Sequence, residues 1–384
     1  MGQIVAAGGT AHAPQFFVYP PTEDFSQLDA GIAAMRQLGH QMFDETKPDA
    51  VIVIGSDHLE TFFLSAVPTF ALVSGERIHA TFAGRDYDLP CHPMADSLLE
   101  HLVAAGFDMT YSQDAVLGHA FAAPFEWVME KREIPVIPIF VNTYLPPLPT
   151  GRRCEALGKA IASFIATRPE RVAIIASGGL SHYPGTWKYP QPAYEFDRWA
   201  IAHMEQGDPE PLVSLTNPQL DEVGNTEFIP WFVMFGAIGA QRGELLSYQP
   251  TWHHGHCMMR FLPAPEKPVE HKAIPPYQFE NKAYEFYSHP APSSYNLNKL
   301  LYDLRHDPAL RQRLFENPAE LARERKLAPR EAAVLDTLMD EDIDLLRNLK
   351  SHPIVEAGAH PLGTLMSLVT VQAEMRRLRK KKSA

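Results

Sequence analysis

The sequence predicts an α/β fold: a mostly parallel central sheet flanked by helices, followed by a small all-helical C-terminal domain. Two patterns carry this expectation. Short apolar runs rich in β-branched residues at 3–7, 50–55, 136–142 and 172–176 are cut off by Gly, Ser or Asn, as in strands covered on both faces. Between them, apolar residues fall at helical spacing, and strands alternating with helices form parallel sheets.

The elements follow in order. Leu28, Ile32, Met35, Leu38 and Met42 predict a helix over 25–45, leading to the strand at 50–55. A second helix is expected over 94–105, a short strand at 108–111, and a helix after Gly118-His119-Ala120-Phe121 running through Trp127. The most apolar strand, 136–142, precedes a helix over 152–167 and then the strand that runs on to His182. From 262 to 294 the texture changes to Pro263, Pro265, Pro268, Pro275, Pro276, Pro290 and Pro292 without periodicity, the signature of an extended linker. Helical spacing returns with Leu297, Leu300, Leu301 and Leu304, and Asp307-Pro308 supplies an N-cap followed by proline at the first helical position. Further helices are expected over 329–347, with Ala332, Leu335 and Leu338 on one face, and over 362–379. The domain division is therefore 1–265, a proline-rich linker 266–296, and a helical domain 297–384.

Composition narrows the function. A net charge of -12 argues against nucleic acid as the main partner, because phosphate binding needs a concentrated positive field. The single basic run, 376–382, reads as a solvated helix end. No apolar run reaches the roughly 18 residues needed to span a bilayer, and the N-terminus enters a strand directly, so a cytoplasmic protein is expected. Cys91, Cys154 and Cys257 give neither a disulfide framework nor a CxxC zinc site. Any bound metal must therefore be held by histidine and carboxylate.

Three strands run into histidines: His12, His58 and His182. Ligands collect beyond the carboxyl ends of strands in such sheets, so these imidazoles are expected to converge on one pocket. Two imidazoles and one carboxylate hold Fe(II) while leaving positions open for substrate and oxygen. His12 and His58 are the natural imidazoles, and Glu227 is the best carboxylate. It stands beside a strongly apolar helix (Phe228, Ile229, Trp231, Phe232), where an unpaired charge is costly and a cation removes the cost. Each residue alone also has a plainer reading: His12 as a loop histidine, Asp57 as a helix N-cap with His58 in solvent, Glu227 as a capping or surface acid.

The combination resembles a known family. Gly9-Thr10-Ala11-His12-Ala13-Pro14, Gly55-Ser56-Asp57-His58, Gly118-His119-Ala120-Phe121, Ser177-Gly178-Gly179-Leu180-Ser181-His182 and the helix from Glu227 to Gly236 look like the catalytic subunit of class III extradiol ring-cleavage dioxygenases, the protocatechuate 4,5-dioxygenase and gallate dioxygenase family. The resemblance covers roughly residues 1–265 with all five motifs in family order. Residues 297–368, best at Gly358-Ala359-His360-Pro361-Leu362, resemble the small helical subunit of protocatechuate 4,5-dioxygenase, so the chain looks like a fusion whose second part covers the mouth of the site.

The resemblance implies Fe(II) held by His12, His58 and Glu227, with Glu222 as the fallback carboxylate, His182 as catalytic acid/base, and His119 beside oxygen and substrate. The implied reaction inserts both atoms of O2 into a catecholic ring, a protocatechuate- or gallate-like acid, giving a muconic semialdehyde-type product. Imidazole suits the proton transfers because its pKa lies near neutrality. Tyr183 and Tyr248 are candidate hydroxyl partners for the substrate, and a homodimer is expected. The run His253-His254-Gly255-His256 reads first as surface or loop histidines and second as a lid near the substrate. An aminophenol-cleaving relative or a zinc hydrolase using the same ligands are the competing readings.

Overall fold

In the computed structural model, which describes residues 2–262, 272–340 and 343–382, the five expected strands join three others, at 70–73, 242–250 and 255–262, in one eight-stranded sheet. Eleven strands are present among the described residues: β1 (Gln3–Thr10), β2 (Ala50–Gly55), β3 (Phe70–Val73), β4 (Arg77–Phe82), β5 (Arg85–Pro90), β6 (Thr110–Ser112), β7 (Val116–Leu117), β8 (Val136–Val141), β9 (Arg171–Ser177), β10 (Arg242–Pro250) and β11 (Gly255–Leu262). The main sheet has the order β10-β11-β1-β9-β2-β8-β3-β6. Its centre, β1, β9, β2 and β8, is parallel; β11 and β3 flank it antiparallel. The small second sheet is β5-β4-β7.

The unbroken apolar runs follow from helices on both faces. Ile52, Ile54, Val172 and Ile174 point into one core with the helices Gly151–Ala166 and Ile229–Ile238. Val51, Val53, Ala173 and Ile175 point into the other with the helix Phe25–Gly39. The period-2 alternation of a strand thus feeds two apolar layers at once. Register brings the carboxyl ends of the central strands level: Thr10 lies opposite Ser177, Ile54 opposite Ala176, and Gly55 opposite Phe140.

The C-terminal region is helical, with Tyr295–His306, Pro308–Glu316, Pro318–Glu324 and Pro361–Lys382 packed around Leu297, Leu300, Leu301, Leu304, Leu310 and Leu314. Asp307 caps as expected, its carboxylate accepting from the amides of Ala309 and Leu310. The helix expected over 329–347 is broken into a short helix Pro329–Ala332, a 3-10 turn Leu335–Met339 and a helix Ile343–Arg347. A 3-10 turn repeats every three residues, so Leu335 and Leu338 stay on one buried side without a continuous α-helix.

The segment 272–291 has no regular secondary structure, as expected, yet it is pinned rather than free. The Asp221 carboxylate accepts from the amides of Glu285, Phe286 and Tyr287, and both aromatic rings are buried. Pro263, Pro265, Pro268 and the expected boundary at 265/266 lie outside the described residues, as do the side chains of Lys380, Lys381 and Lys382. No helix among the described residues is long and apolar enough to cross a membrane.

Candidate metal centre

The level ends of the central strands deliver four side chains to one point: His12 after β1, His58 after β2, Tyr144 after β8 and His182 after β9. Neighbouring strands lie about 4.8 Å apart, so residues just past their ends are within reach of one another. The rings of His12 and His58 are 5.0 Å apart between centroids, and those of His58 and His119 are 4.0 Å apart.

Each imidazole is oriented from behind. The Ser177 hydroxyl donates to the Ala120 carbonyl (2.5 Å), so toward His12 Nδ1 (3.0 Å) it is an acceptor. Nδ1 therefore carries the hydrogen, and Nε2 of neutral His12 presents a lone pair to the centre. His119 opens the short helix His119–Ala123; its Nδ1 (2.8 Å) and its backbone amide (3.1 Å) both meet Glu60 Oε2. Burial raises the Glu60 pKa, but the charge and hydrogen bond of His119 outweigh it and hold the group at about 2. The His58 loop is tied by Asp57, whose carboxylate accepts from the amides of Glu60, Thr61 and Phe62.

Glu227 sits fully buried in the 3-10 turn Thr226–Phe228, ahead of the helix Ile229–Ile238. Its Oε1 meets His58 Nε2 (2.5 Å), the Tyr144 hydroxyl (2.7 Å) and His182 Nε2 (3.5 Å). Its Oε2 accepts from the Gly179 amide (2.9 Å) and faces His12 Nε2 (3.1 Å). Burial opposes this charge, yet the surrounding His12, His182 and His58 hold the carboxyl well below its ordinary range. The glycines of the Ser177–His182 turn make the approach possible: a Cβ on Gly178 would overlap the Glu227 carbonyl, and one on Gly179 the His254 ring.

His182 donates through Nδ1 to the Leu180 carbonyl (2.7 Å), which turns Nε2 toward Glu227 and the Tyr144 hydroxyl (3.2 Å). Burial lowers its pKa, but Glu227 overrides it and the net direction is up. His12 and His58 go the other way: desolvation dominates both, with His58 near 3. Burial and Glu227 hold the Tyr144 phenol well above its usual value.

His12, His58, His119, His182 and Glu227, all named from the sequence, thus converge. Three others do not. Glu222 turns away, accepting from the amides of Glu280 (2.7 Å) and Lys282 (3.4 Å). The Tyr183 hydroxyl donates to the Glu222 carbonyl, and that of Tyr248 to Asp197. His253, His254 and His256 correct the surface reading: they are 1%, 4% and 0% exposed, and His254 stacks on His182 at 3.8 Å. Burial follows from β11, whose start lies beside the end of β1 because the pair is antiparallel. Tyr144 was not foreseen. Its signal was available: like the histidines, it closely follows an apolar parallel strand, and Asn142 Oδ1 accepts from the amides of Tyr144 (3.4 Å) and Leu145 (3.2 Å) to turn it inward.

Residues 6–259 match the family model described as the catalytic LigB subunit of aromatic ring-opening dioxygenase. Among curated proteins, a 2,3-dihydroxyphenylpropionate/2,3-dihydroxicinnamic acid 1,2-dioxygenase of Comamonas testosteroni is 36% identical over 197 residues, covering 48% of this chain and 59% of that protein. A protein of the same name from Klebsiella pneumoniae subsp. pneumoniae is 32% identical over 177 residues, 45% of this chain and 55% of the relative. The chain thus spans between 55% and 59% of the length of these relatives. The crystal structure of an uncharacterized Escherichia coli K12 protein matches at 17% identity and a TM-score of 0.48, covering 67% of this chain and 99% of that one. With the family match spanning well over half of its length, the chain belongs to the family of the catalytic LigB subunit of aromatic ring-opening dioxygenases.

Proposed function

We propose that the protein is an Fe(II)-dependent extradiol dioxygenase that opens the ring of a carboxylated catechol, with His12, His58 and Glu227 holding the iron. The observation that carries this reading is the buried Glu227 carboxylate shared among imidazoles at 2.5, 3.1 and 3.5 Å. A fully buried carboxylate facing imidazole nitrogens of His12 and His58 is a donor set whose charge a cation would balance, and these three residues would hold it. Nitrogen donors and one anion suit Fe(II), and Nε2 of His12 is a buried atom without a hydrogen-bond partner. The donor set therefore fits. Bound there, Fe(II) supplies the electronic route between a catecholate and triplet O2 that neither reactant has alone.

The chain's own residues do the rest. His182 Nε2 takes a proton from a catechol hydroxyl and later returns it to the departing oxygen, while its Nδ1 stays fixed on the Leu180 carbonyl. The Tyr144 hydroxyl holds Glu227 in its charged form and fixes the position of Nε2 of His182. His119, its Nδ1–H donated to Glu60, turns Nε2 beside His58 toward the oxygen side, where the neutral imidazole accepts a hydrogen bond. Burial of His12, His58, His119, His182 and Glu227 keeps bulk water from the reacting atoms.

The substrate class rests on the relatives' names, which specify catechols with an acidic side chain; protocatechuate- and gallate-like acids belong to the same chemical class. In this reading residues 1–265 are the catalytic domain, 266–296 the linker and 297–384 the cover, in a cytoplasmic homodimer. A second reading has one observation behind it: His12, His58 and His119 each offer a ligand atom within 4.8 Å of one another, a donor set that suits a water-activating zinc.

The experiment is oxygen uptake by anaerobically prepared Fe(II)-loaded protein against protocatechuate, gallate, 2,3-dihydroxyphenylpropionate, catechol and 2-aminophenol, with absorbance read for ring-opened products. Stoichiometric uptake with a new absorption band is expected for a carboxylated catechol, and best activity on 2-aminophenol would reassign the substrate. Uptake by none, with iron bound and reduced, would favour the zinc reading. His12→Ala and Glu227→Ala are expected to lose iron, whereas His182→Ala keeps iron and loses turnover. Full iron loading in the first two would sink the ligand assignment.

A further inference from the structure

The loop 57–62 carries His58 and the Glu60 anchor of His119, and it is held both from within, by Asp57, and from outside. Leu59, immediately after His58, has a φ of 57°. For a leucine this left-handed backbone is strained, and such strain persists only where the surroundings enforce it. The loop's amides are satisfied from within by Asp57. The carbonyls of His58, Glu60 and Thr61 are met from outside, by the helix Tyr295–His306.

Tyr302, Arg305 and His306 stand at i, i+3 and i+4 and share one face of that helix. Arg305 Nη1 donates to the His58 carbonyl (3.0 Å), His306 Nε2 lies 3.0 Å from the Glu60 carbonyl, and the Tyr302 hydroxyl donates to Thr61 (3.4 Å). The guanidinium also faces the charges of Glu60 and Asp57. Leu59 itself is buried, its side chain against Gly363 of the helix Pro361–Lys382. A second hold runs from His360 Nε2 to the Tyr144 carbonyl (3.1 Å).

We propose that Arg305 is a positioning residue for the metal centre: by gripping the His58 carbonyl and facing Asp57 and Glu60, it lets the C-terminal helices enforce the strained loop that presents His58 and anchors His119. The helices then set the affinity of the centre for its ion, in addition to covering it. This rests on the metal reading above.

The test uses the full-length protein and Co(II), whose visible bands report ligand geometry independently of turnover. Loss of an outer partner of a metal-ligating histidine typically costs 10–100-fold in affinity. Arg305→Ala is therefore expected to weaken Co(II) binding at least tenfold and to change the bands, and Arg305→Lys, which keeps the charge but not the planar fork, to fall between. Arg313→Ala, which removes an exposed guanidinium paired with Glu324 in the same helical region, should leave both unchanged. If Arg305→Ala does not fold, the Lys variant decides by the same readout. Wild-type affinity and bands in the folded Arg305 variants would overturn the proposal. Absence of His12-dependent Co(II) bands in the wild-type protein would overturn the metal reading itself, a different result.

Discussion

Tyr144→Phe isolates one hydroxyl at the centre. The ring is fully enclosed, in edge contact with Tyr287 at 4.9 Å and tilted against His58 at 5.4 Å, and phenylalanine keeps those contacts. What disappears is the donor to Glu227 Oε1 (2.7 Å) and the contact with His182 Nε2 (3.2 Å). A hydrogen bond to a charged group contributes about 1.5–3 kcal/mol, and 1.36 kcal/mol is a factor of ten, so the loss is roughly 10- to 150-fold. With Glu227 as a metal ligand, as proposed, the same range follows independently from removing the outer partner of a ligand, about 10–100-fold. On the proposed function, the loss divides between Fe(II) affinity, through a Glu227 less able to stay charged, and kcat/KM, through a less well-placed His182. Anaerobic Fe(II) titration gives the first and oxygen uptake the second. A folded variant that changes neither by more than threefold would falsify the role assigned to the hydroxyl.

Two other outcomes follow from the geometry around the same turn. Gly178→Ala puts a methyl group onto the Glu227 backbone carbonyl, and such overpacking costs about 1–3 kcal/mol; chemical denaturation should show it together with weaker iron retention, and an unperturbed midpoint would contradict the close approach. Asp197 holds the far side of the turn, accepting from the Ser181 amide and the Tyr248 hydroxyl; burial outweighs these bonds and pushes its pKa from 3.8 up to about 7. The folded state therefore keeps a proton that the unfolded chain has released, and stability from this group, complete below pH 4, is lost as pH rises toward 7, by on the order of 4 kcal/mol. Asp197→Asn does not titrate, so its stability relative to wild type should rise from pH 4 to 7 and then level off; a difference independent of pH would rule the argument out.

The sequence made legible what depends on local pattern. Runs such as Val51-Ile52-Val53-Ile54 announce strands with two buried faces, and the histidine after each marks the end where ligands gather. Tyr144 carries neither an imidazole nor a carboxylate to mark it, so its place just past the end of β8 was its one signal. His254 and His256 escaped for a different reason: a histidine-rich turn reads alike in solvent and in a core, and only the pairing of Met258 with Thr10 buries it. The break in 329–347 was hidden in a spacing, since Ala332, Leu335 and Leu338 recur every third residue and fit a 3-10 turn as well as an α-helix. Asp221, which pins 285–287, belongs to no periodic pattern.

His12, His58, His119, His182 and Glu227 each come from a different element, separated by long stretches of chain. An unfolded chain therefore does not hold these five ligands together, and the run His253-His254-Gly255-His256 is what it offers an ion instead, so the native state binds more tightly and the gain below is an upper bound. By mass action such an ion stabilises folding by RT ln(1 + [L]/Kd), about 2.7 kcal/mol at a hundred times its dissociation constant. Inhibition by a chelator and loss of thermal stability would then be one event seen by two instruments. Apparent heat lability of a preparation would measure its metal content before it measured anything about its core.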